Sequence, residues 1–228
     1  MSLRLAVATA WLTLLSAPPA AAVSVGQIDD FQGGTTEAWR IGVGGALPAN
    51  VAGGGPAGAA DSYLRFDSNG GRVAGRHVFF NSDQWSGDYS AAGVTAIRFD
   101  AINLSASETL FVRVAIGDAE RGQSGTWFAS TNPVTLTPGS GWQTVRLPIA
   151  EPDMTLDRGG APFADVVSSV VSLRILSAET VSRRGDQIVA SIGVDNITAV
   201  PEPSATATLA AAAGVFAARR RRDECRRG

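Results

Sequence analysis

Few side chains in this sequence are of types that carry out nucleophilic or metal-based catalysis. The 228 residues include one His (His77) and one Cys (Cys225), which excludes a Cys/His zinc site, a two-His metal centre and a disulfide framework. A Ser-His-Asp triad would depend on His77, which lies in a predicted strand, and the chain contains no nucleophile elbow. Cysteine-based catalysis would have to use Cys225, which lies in the extreme C-terminal tail.

The acidic side chains leave one class of enzyme open. A glycosidase needs two carboxyl groups that converge on the scissile bond, and the 21 Asp and Glu residues allow such pairs at many positions. The Gly-rich stretch 53–58 formally matches the GxGxxG pattern, but no predicted strand closely precedes it and no helix follows it. An acid-based hydrolase or lyase therefore stays as the alternative to a non-enzymatic protein.

The first 22 residues have the composition of a secretory signal peptide. Arg4 supplies a positive charge, residues 5–15 form an apolar run, and three alanines at 20–22 fit the small-residue cleavage rule. The apolar run is short for a membrane span. We therefore predict an N-terminal signal helix that is removed on export, which leaves a mature chain that begins at Val23.

A distinctive order of features ends the chain: a Pro-Glu-Pro motif, an Ala-rich apolar segment at 204–218 and a cluster of arginines. This order resembles the PEP-CTERM sorting signal. The resemblance implies that exosortase, a membrane protease-transpeptidase, processes the tail of a protein destined for the cell envelope or extracellular matrix. It also implies that the apolar helix lies in the inner membrane before processing, with the arginines on the cytoplasmic side. The matching residues are Pro201, Glu202 and Pro203, and Arg219, Arg220, Arg221 and Arg222.

The part between the two ends has the length of one domain and is acidic. Residues 23–200 carry 12 Arg and 18 Asp or Glu, a net charge of about −6, and the chain has no Lys. An acidic exported body disfavours nucleic acid and anionic membranes as partners. We therefore divide the chain into a signal peptide (1–22), one domain (23–200) and a sorting tail (201–228).

Hydrophobic periodicity in this domain has the period of strands and not of helices. In the clearest case, Leu110, Val112, Val114 and Ile116 recur at every second position and so lie on one face, with Arg113 opposite. Residues 42–60 are rich in Gly, Ala and Pro and predict a long loop. The fold class predicted is all-β, a two-sheet jelly-roll-like sandwich, with the signal helix and the apolar C-terminal helix outside it. The predicted strands are 27–31, 38–43, 62–67, 77–80, 94–104, 109–116, 126–130, 142–149, 170–176 and 187–200.

Three short segments of the domain carry a family resemblance. The opening Ile-Asp-Asp-Phe at 28–31, the stretch 141–148 and the closing Val-Asp-Asn-Ile at 194–197 resemble the galactose-binding-like sandwiches that include many carbohydrate-binding modules. The resemblance implies that the first and last strands are neighbours and share a structural calcium ion. Calcium takes about 6–8 oxygen ligands. The matching carboxylates are Asp195 and either Asp29 or Asp30, of which we favour Asp30.

Aromatic residues in polar loops are candidates for sugar binding. Modules of this kind stack sugar rings on exposed aromatic faces, because an aromatic face packs on apolar ring C–H groups. Trp85 and Tyr89 lie in the polar stretch 81–89, and Trp127 follows a Gly- and Ser-rich stretch, so we predict these three as platforms. Trp39 and Trp142 are predicted to be structural.

The function predicted from the sequence is that of an exported, non-enzymatic β-sandwich with a structural or adhesive role. Its predicted partners are exosortase and an exopolysaccharide, with calcium as the one candidate cofactor. The alternative is a hydrolase or lyase that acts on polysaccharide. A deep groove with two carboxylates would favour the enzyme, whereas a flat aromatic face would favour binding.

Overall fold

A computed structural model of the chain describes residues 22–41, 47–72, 75–120 and 124–201. The predicted signal helix, the apolar C-terminal helix, Glu202, Pro203 and the cluster Arg219 to Arg222 lie outside the described residues. Within the described ranges, no helix is both long and apolar enough to cross a membrane.

Strands are the main regular secondary structure of the described residues. Two short α-helices, α1 (Tyr89–Ala92) and α2 (Phe163–Val167), and a 3-10 turn at Glu151–Asp153 lie between them. The strands in the described ranges are β1 (Ile28–Asp29), β2 (Arg40–Ile41), β3 (Ala49–Val51), β4 (Tyr63–Asn69), β5 (Val78–Asn81), β6 (Val94–Asn103), β7 (Leu110–Gly117), β8 (Trp127–Ser130), β9 (Val134–Leu136), β10 (Gln143–Pro148), β11 (Met154–Arg158), β12 (Ser172–Ser177) and β13 (Val189–Pro201).

The strands form two antiparallel sheets that pack face to face. The first sheet has the order β10-β6-β13-β4-β3, and β1 also pairs with β13. The second sheet has the order β11-β8-β7-β12-β5-β2, and β9 also pairs with β7. The prediction of an all-β two-sheet sandwich is confirmed, and the first and last strands are neighbours, as the family resemblance implied.

Strand alternation places one continuous hydrophobic core between the sheets. In β4, Leu64 and Phe66 are buried while the intervening Arg65 is exposed. Burial of each such side chain contributes about 1.5–3 kcal/mol to folding. Other fully buried members of the core are Phe79, Phe99, Val112, Val114, Ile116, Leu173, Ile175 and Ile197.

The structure differs from the sequence prediction in the short elements. The predicted long loop at 42–60 contains β3, which pairs with β4 from Ala49 to Val51. Strands β9 and β11 and both helices were not predicted, because segments of three to five residues are too short to show a period. The last strand also continues one residue past its predicted end, so that Pro201 pairs with Val94. A proline is tolerated there because no further ladder bond needs its missing N–H.

Candidate functional site

Trp85 and Tyr89 lie in the core and are fully buried. The indole Nε1 of Trp85 donates a hydrogen bond of 2.6 Å to the Oδ2 atom of Asp29, and the hydroxyl of Tyr89 donates one of 2.8 Å to the carbonyl oxygen of Trp85. Burial also raises the pKa of Tyr89 above its usual range. The prediction that these two rings are exposed sugar platforms is wrong, because a buried carboxylate holds the polar loop inward.

That buried carboxylate, Asp29, is the centre of a polar network inside the core. Its Oδ2 atom accepts hydrogen bonds from Nε1 of Trp39 (2.7 Å), Nε1 of Trp85 (2.6 Å) and Nε2 of Gln84 (3.3 Å). Burial raises the pKa of Asp29, whereas these donors act to lower it. Trp39 therefore has the structural role expected of it, and Asp29 is a structural anchor and not a surface ligand.

The predicted calcium ligand Asp195 lies at an irregular point of β13, where the register with β6 shifts. The side chain of Asp195 is fully buried. It accepts two hydrogen bonds from Asn196, one from the backbone N–H (2.8 Å) and one from the side-chain Nδ2 atom (3.1 Å). Asn196 has a φ of 53°, and its Nδ2 atom also donates to Asp100 (3.0 Å). The side-chain amide thus bridges two carboxylates that lie directly opposite each other on neighbouring strands, where like charges repel.

The electrostatics around Asp195 disfavour negative charge. The pKa of Asp195 is raised to about 7. Burial is the largest cause, and the negative charges of Asp61, Asp100 and Asp30 act in the same direction. Burial and the charge of Asp29 likewise raise the pKa of Glu37 to about 7. A proton or a bound cation near these groups would relieve the unfavourable charge.

The donor chemistry at this place fits a hard cation such as calcium. Asp30 is half-buried and close enough to Asp195 to affect its pKa, and both supply carboxylate oxygens. In the described part of the chain, however, no group of three or more His, Cys, Asp or Glu side chains is arranged to hold a metal ion. A calcium ion here would therefore take its remaining ligands from backbone carbonyls and amide side chains.

A small open groove lies on the outer face of the second sheet, at the edge formed by β2 and β5. Its volume is about 170 Å³, and it is lined by Arg40, Phe80, Ser82, Asp83 and Glu120. The guanidinium Nη2 of Arg40 lies 3.3 Å from Oδ2 of Asp83, and both side chains are about half exposed. Sequence reasoning missed this groove, although the alternation of β5 does place Phe80 opposite the core-facing Phe79.

The register of the second sheet extends the groove into a row of side chains across its outer face. Arg40 pairs with Phe80, Phe80 with Arg174, Arg174 with Ala115 and Ala115 with Ala129. The small side chains of Ala115 and Ala129 leave room above the sheet. That room is filled by an indole ring.

The indole is that of Trp127, which is 1% exposed although it points out of the sandwich. It lies on the backbone of Gly117, where a Cβ atom would come within 2.4 Å of the ring. The guanidinium carbon of Arg174 sits 3.7 Å from the ring centroid, at the distance of a cation–π contact. The prediction of an exposed platform at Trp127 is therefore wrong for this conformation, because its ring is covered.

Part of this cover comes from residues 178–186 in the connection between β12 and β13, which we call the strap. Val181 of the strap packs on a small apolar cluster of Ala115, Trp127, Ala129 and Leu176. This cluster is separate from the main core and lies on the opposite face of the sheet. The strap thus closes part of a sheet face that would otherwise be open to solvent.

His77 cannot serve as a surface base. Its side chain is 1% exposed, its Nδ1 atom shares a 2.9 Å hydrogen bond with Oγ of Ser68, and its ring lies 4.8 Å from the ring of Phe66. Burial lowers the pKa of His77 to about 3, so the ring is neutral at physiological pH. The triad alternative considered from the sequence finds no support in this geometry.

Comparisons with solved structures return β-sandwich modules. The chain is similar to a family 11 carbohydrate-binding module from Clostridium thermocellum, with 17% identity, 78% of this chain and 98% of that chain covered, and a TM-score of 0.48. It is also similar to the CBM22-1 xylan-binding domain from Paenibacillus barcinonensis, with 13% identity, coverage of 78% and 98%, and a TM-score of 0.47.

A third similarity is to an exo-beta-agarase, with 11% identity and a TM-score of 0.52. It covers 79% of this chain but only 25% of the agarase chain, so the likeness is to a part of that enzyme. At this level of identity the similarity shows the fold alone. No family model matches the chain, and no curated protein matches it.

Proposed function

We propose that this protein is a non-catalytic module that binds polysaccharide in the groove on the outer face of its second sheet. The observation that carries the proposal is the groove itself, in which Phe80 lies among the side chains of Arg40, Ser82, Asp83 and Glu120. An aromatic face accepts the apolar C–H face of a sugar ring, while charged and hydroxyl groups bond to its hydroxyls. A shallow, open groove fits a segment of a long chain.

The groove also contains two carboxylates, which is the one feature that favours a hydrolase or lyase. A glycosidase needs one acid whose pKa is raised so that it can donate a proton. Asp83 is exposed and paired with Arg40, and Glu120 is exposed. The described carboxyls whose pKa is raised are Asp29, Glu37 and Asp195, none of which lines the groove. The non-catalytic function is therefore the better supported of the two.

The groove proposal predicts that Arg40→Ala weakens polysaccharide binding about tenfold or more, the loss typical of a central contact. The measurement is a glycan array with the purified full chain, followed by titration with the best polysaccharide. A matched control is Arg65→Ala, because Arg65 forms an equally exposed pair with Asp67 on the first sheet. Equal affinities of the two variants would reject the groove as the binding site.

We also propose that calcium stabilises the fold at Asp30 and Asp195 and takes no part in chemistry. The support is the electrostatic strain around Asp195, which a divalent cation would relieve. Asp195 lies in β13, and Asp30 directly follows β1. These two strands pair with each other and join the two ends of the described domain. Its test is the pH and calcium dependence of stability considered in the Discussion.

Export and sorting by the two ends of the chain complete the proposed function. The mature start at Val23 rests on the sequence, and Val23 already belongs to the packed domain, since its side chain is buried and its backbone N–H donates to the carbonyl oxygen of Ser86 (2.9 Å). For the sorting tail the support is the motif sequence, and Glu202 carries its only charge. Glu202→Gln is expected to leave unprocessed protein in the membrane of an exosortase-bearing host. Wild type and variant of equal mass in the same fraction would argue against sorting.

A further inference from the structure

The strap is fixed very differently at its ends and in its middle. At its start, the guanidinium of Arg113 donates to the carbonyl oxygens of Ala178 and Glu179, and at its end Arg76 donates to that of Gly185. Gly185 itself approaches the backbone of His77 so closely that a Cβ atom would lie 2.3 Å from its carbonyl oxygen. The two ends are therefore anchored to the sheet by several hydrogen bonds, which include backbone bonds of Ala178 and Asp186, and by the close packing of Gly185.

The middle of the strap is held by a few side-chain contacts. The Nη1 atom of Arg174 donates to the carbonyl oxygen of Arg183 (2.9 Å), and the guanidinium of Arg183 forms an ion pair with Asp157 of β11. The two partners of this pair are 13% and 15% exposed. Val181 adds one apolar contact with the cluster around Trp127. Polar contacts of this kind open more readily than packed backbone.

An aromatic side chain and a cation lie directly under this middle part. The ring of Trp127 points away from the core, and Arg174 lies against it. Arg174 is also the cross-strand neighbour of Phe80, which lines the groove. The surface under the strap is thus continuous with the groove along one row of the sheet.

We infer that the middle of the strap, residues 180–184, is a lid over a second sugar-binding platform formed by Trp127 and Arg174. The lid opens when the Arg183–Asp157 pair breaks, and it extends the groove along the same sheet face. The ligand is the same class as for the groove, a polysaccharide chain long enough to cross several strands. This inference rests on the proposed function, because it takes the groove as the first point of contact.

Opening the lid exposes a large indole and the guanidinium of Arg174 to the same ligand. Because the guanidinium lies on a face of the indole, the sugar meets the guanidinium first, which donates to hydroxyl or acidic groups, while the uncovered part of the ring adds apolar contact area. The closed form keeps the apolar cluster of Ala115, Trp127 and Ala129 dry. An apolar surface of this kind would otherwise favour non-specific association.

The experiment compares Arg183→Gln with Arg184→Gln in the full chain. The two changes remove the same charge from neighbouring positions, but Arg184 is exposed and Arg183 forms the ion pair. Acrylamide quenching of tryptophan fluorescence reports exposure of Trp127, when the same measurement on chains with Trp127→Phe is subtracted. We expect Arg183→Gln to raise the open population about tenfold, as loss of a charged hydrogen bond does, and Arg184→Gln to have no effect.

Polysaccharide affinity is the second measurement on the same proteins. The polysaccharide that scores best with the wild type is expected to bind Arg183→Gln more tightly, and Trp127→Ala in that background is expected to remove the gain. Asp157→Asn breaks the same pair from the other side and serves if Arg183→Gln does not fold.

Unchanged quenching in both pair-breaking variants would overturn the lid, and so would increased quenching without a gain in affinity. The failure of the lid and that of the groove give different results. If wild-type binding depends on Arg40 and Arg183→Gln has no higher affinity for the polysaccharide, the lid is rejected and the groove is not. A gain in affinity in Arg183→Gln, together with wild-type binding that Arg40→Ala does not weaken, rejects the groove and supports the platform.

Discussion

Asp29→Ala is expected to lower the free energy of unfolding by about 3–5 kcal/mol, the largest effect predicted for one side chain here. The carboxylate accepts hydrogen bonds from the buried indoles of Trp39 and Trp85. Its removal leaves both donors without a partner in the core, at a cost of about 1–3 kcal/mol for each. Asp29→Asn keeps one acceptor oxygen and is expected to cost less.

The measurement is urea unfolding followed by circular dichroism in EDTA. The neighbouring variant Asp30→Ala is the control, because its Oδ1 atom accepts one exposed hydrogen bond, from the backbone N–H of Gln32. We expect this control to lie within about 1 kcal/mol of the wild type. Equal midpoints for Asp29→Ala and Asp30→Ala would show that the buried network contributes little.

The second large effect is a dependence of stability on pH that runs through Asp195. Its pKa is about 7 in the folded protein and near 3.8 in the unfolded chain. Between these values the folded state binds a proton that the unfolded state has lost, so stability falls as the pH rises from about 4 to 7. The contribution is on the order of 2–4 kcal/mol in the absence of calcium, and Glu37 acts in the same direction.

His77 acts in the opposite direction over part of the same range. Its pKa falls from 6.5 in the unfolded chain to about 3 in the fold. The unfolded state therefore takes up a proton first, and stability falls as the pH decreases below 6.5. A pH scan of the wild type alone would mix the two effects, so a variant has to isolate the carboxyl group.

Asp195→Asn is that variant. Without calcium, we expect its melting temperature to exceed that of the wild type by about 5–10 °C at pH 8 and to approach it at pH 4. Calcium is expected to raise the melting temperature of the wild type at pH 8 by a similar amount and to leave Asp195→Asn unchanged. Asp165→Asn, in an exposed helix turn, controls for the loss of one charge.

The difference in melting temperature between Asp195→Asn and the wild type decides this prediction. The same difference in melting temperature at pH 4 and pH 8 would show that Asp195 does not titrate between them. A calcium-induced rise that persists in Asp195→Asn would place any calcium ion elsewhere in the protein.

Much of the fold follows from local sequence, whereas the role of each tryptophan does not. Strands such as β4 in the first sheet and β7 and β12 in the second show their period of two directly in the sequence. Trp85 lies in a polar stretch that predicts exposure, but its partner Asp29 is 56 positions away in the sequence. No local pattern reveals a carboxylate that reaches an indole over that separation.

Trp127 shows a different limit of sequence reasoning. Its ring lies on the face of β8 away from the core, opposite to Phe128. Its burial depends on the strap, which follows more than 50 positions later and whose sequence has no regular period. The groove lined by Arg40 and Phe80 escaped prediction for the same reason, since the pairing of β2 with β5 brings distant residues together.

The proposed function requires that this sandwich binds a polysaccharide without cleaving it. The most direct test incubates the full chain with the polysaccharide that it binds best, and follows both the bound fraction and the molecular mass of the polysaccharide. We expect saturable binding that Arg40→Ala weakens and Arg65→Ala does not, with no change in polysaccharide mass during prolonged incubation. Progressive shortening of the polysaccharide, lost when Asp83 or Glu120 is replaced by its amide, would overturn the non-catalytic function and identify an enzyme.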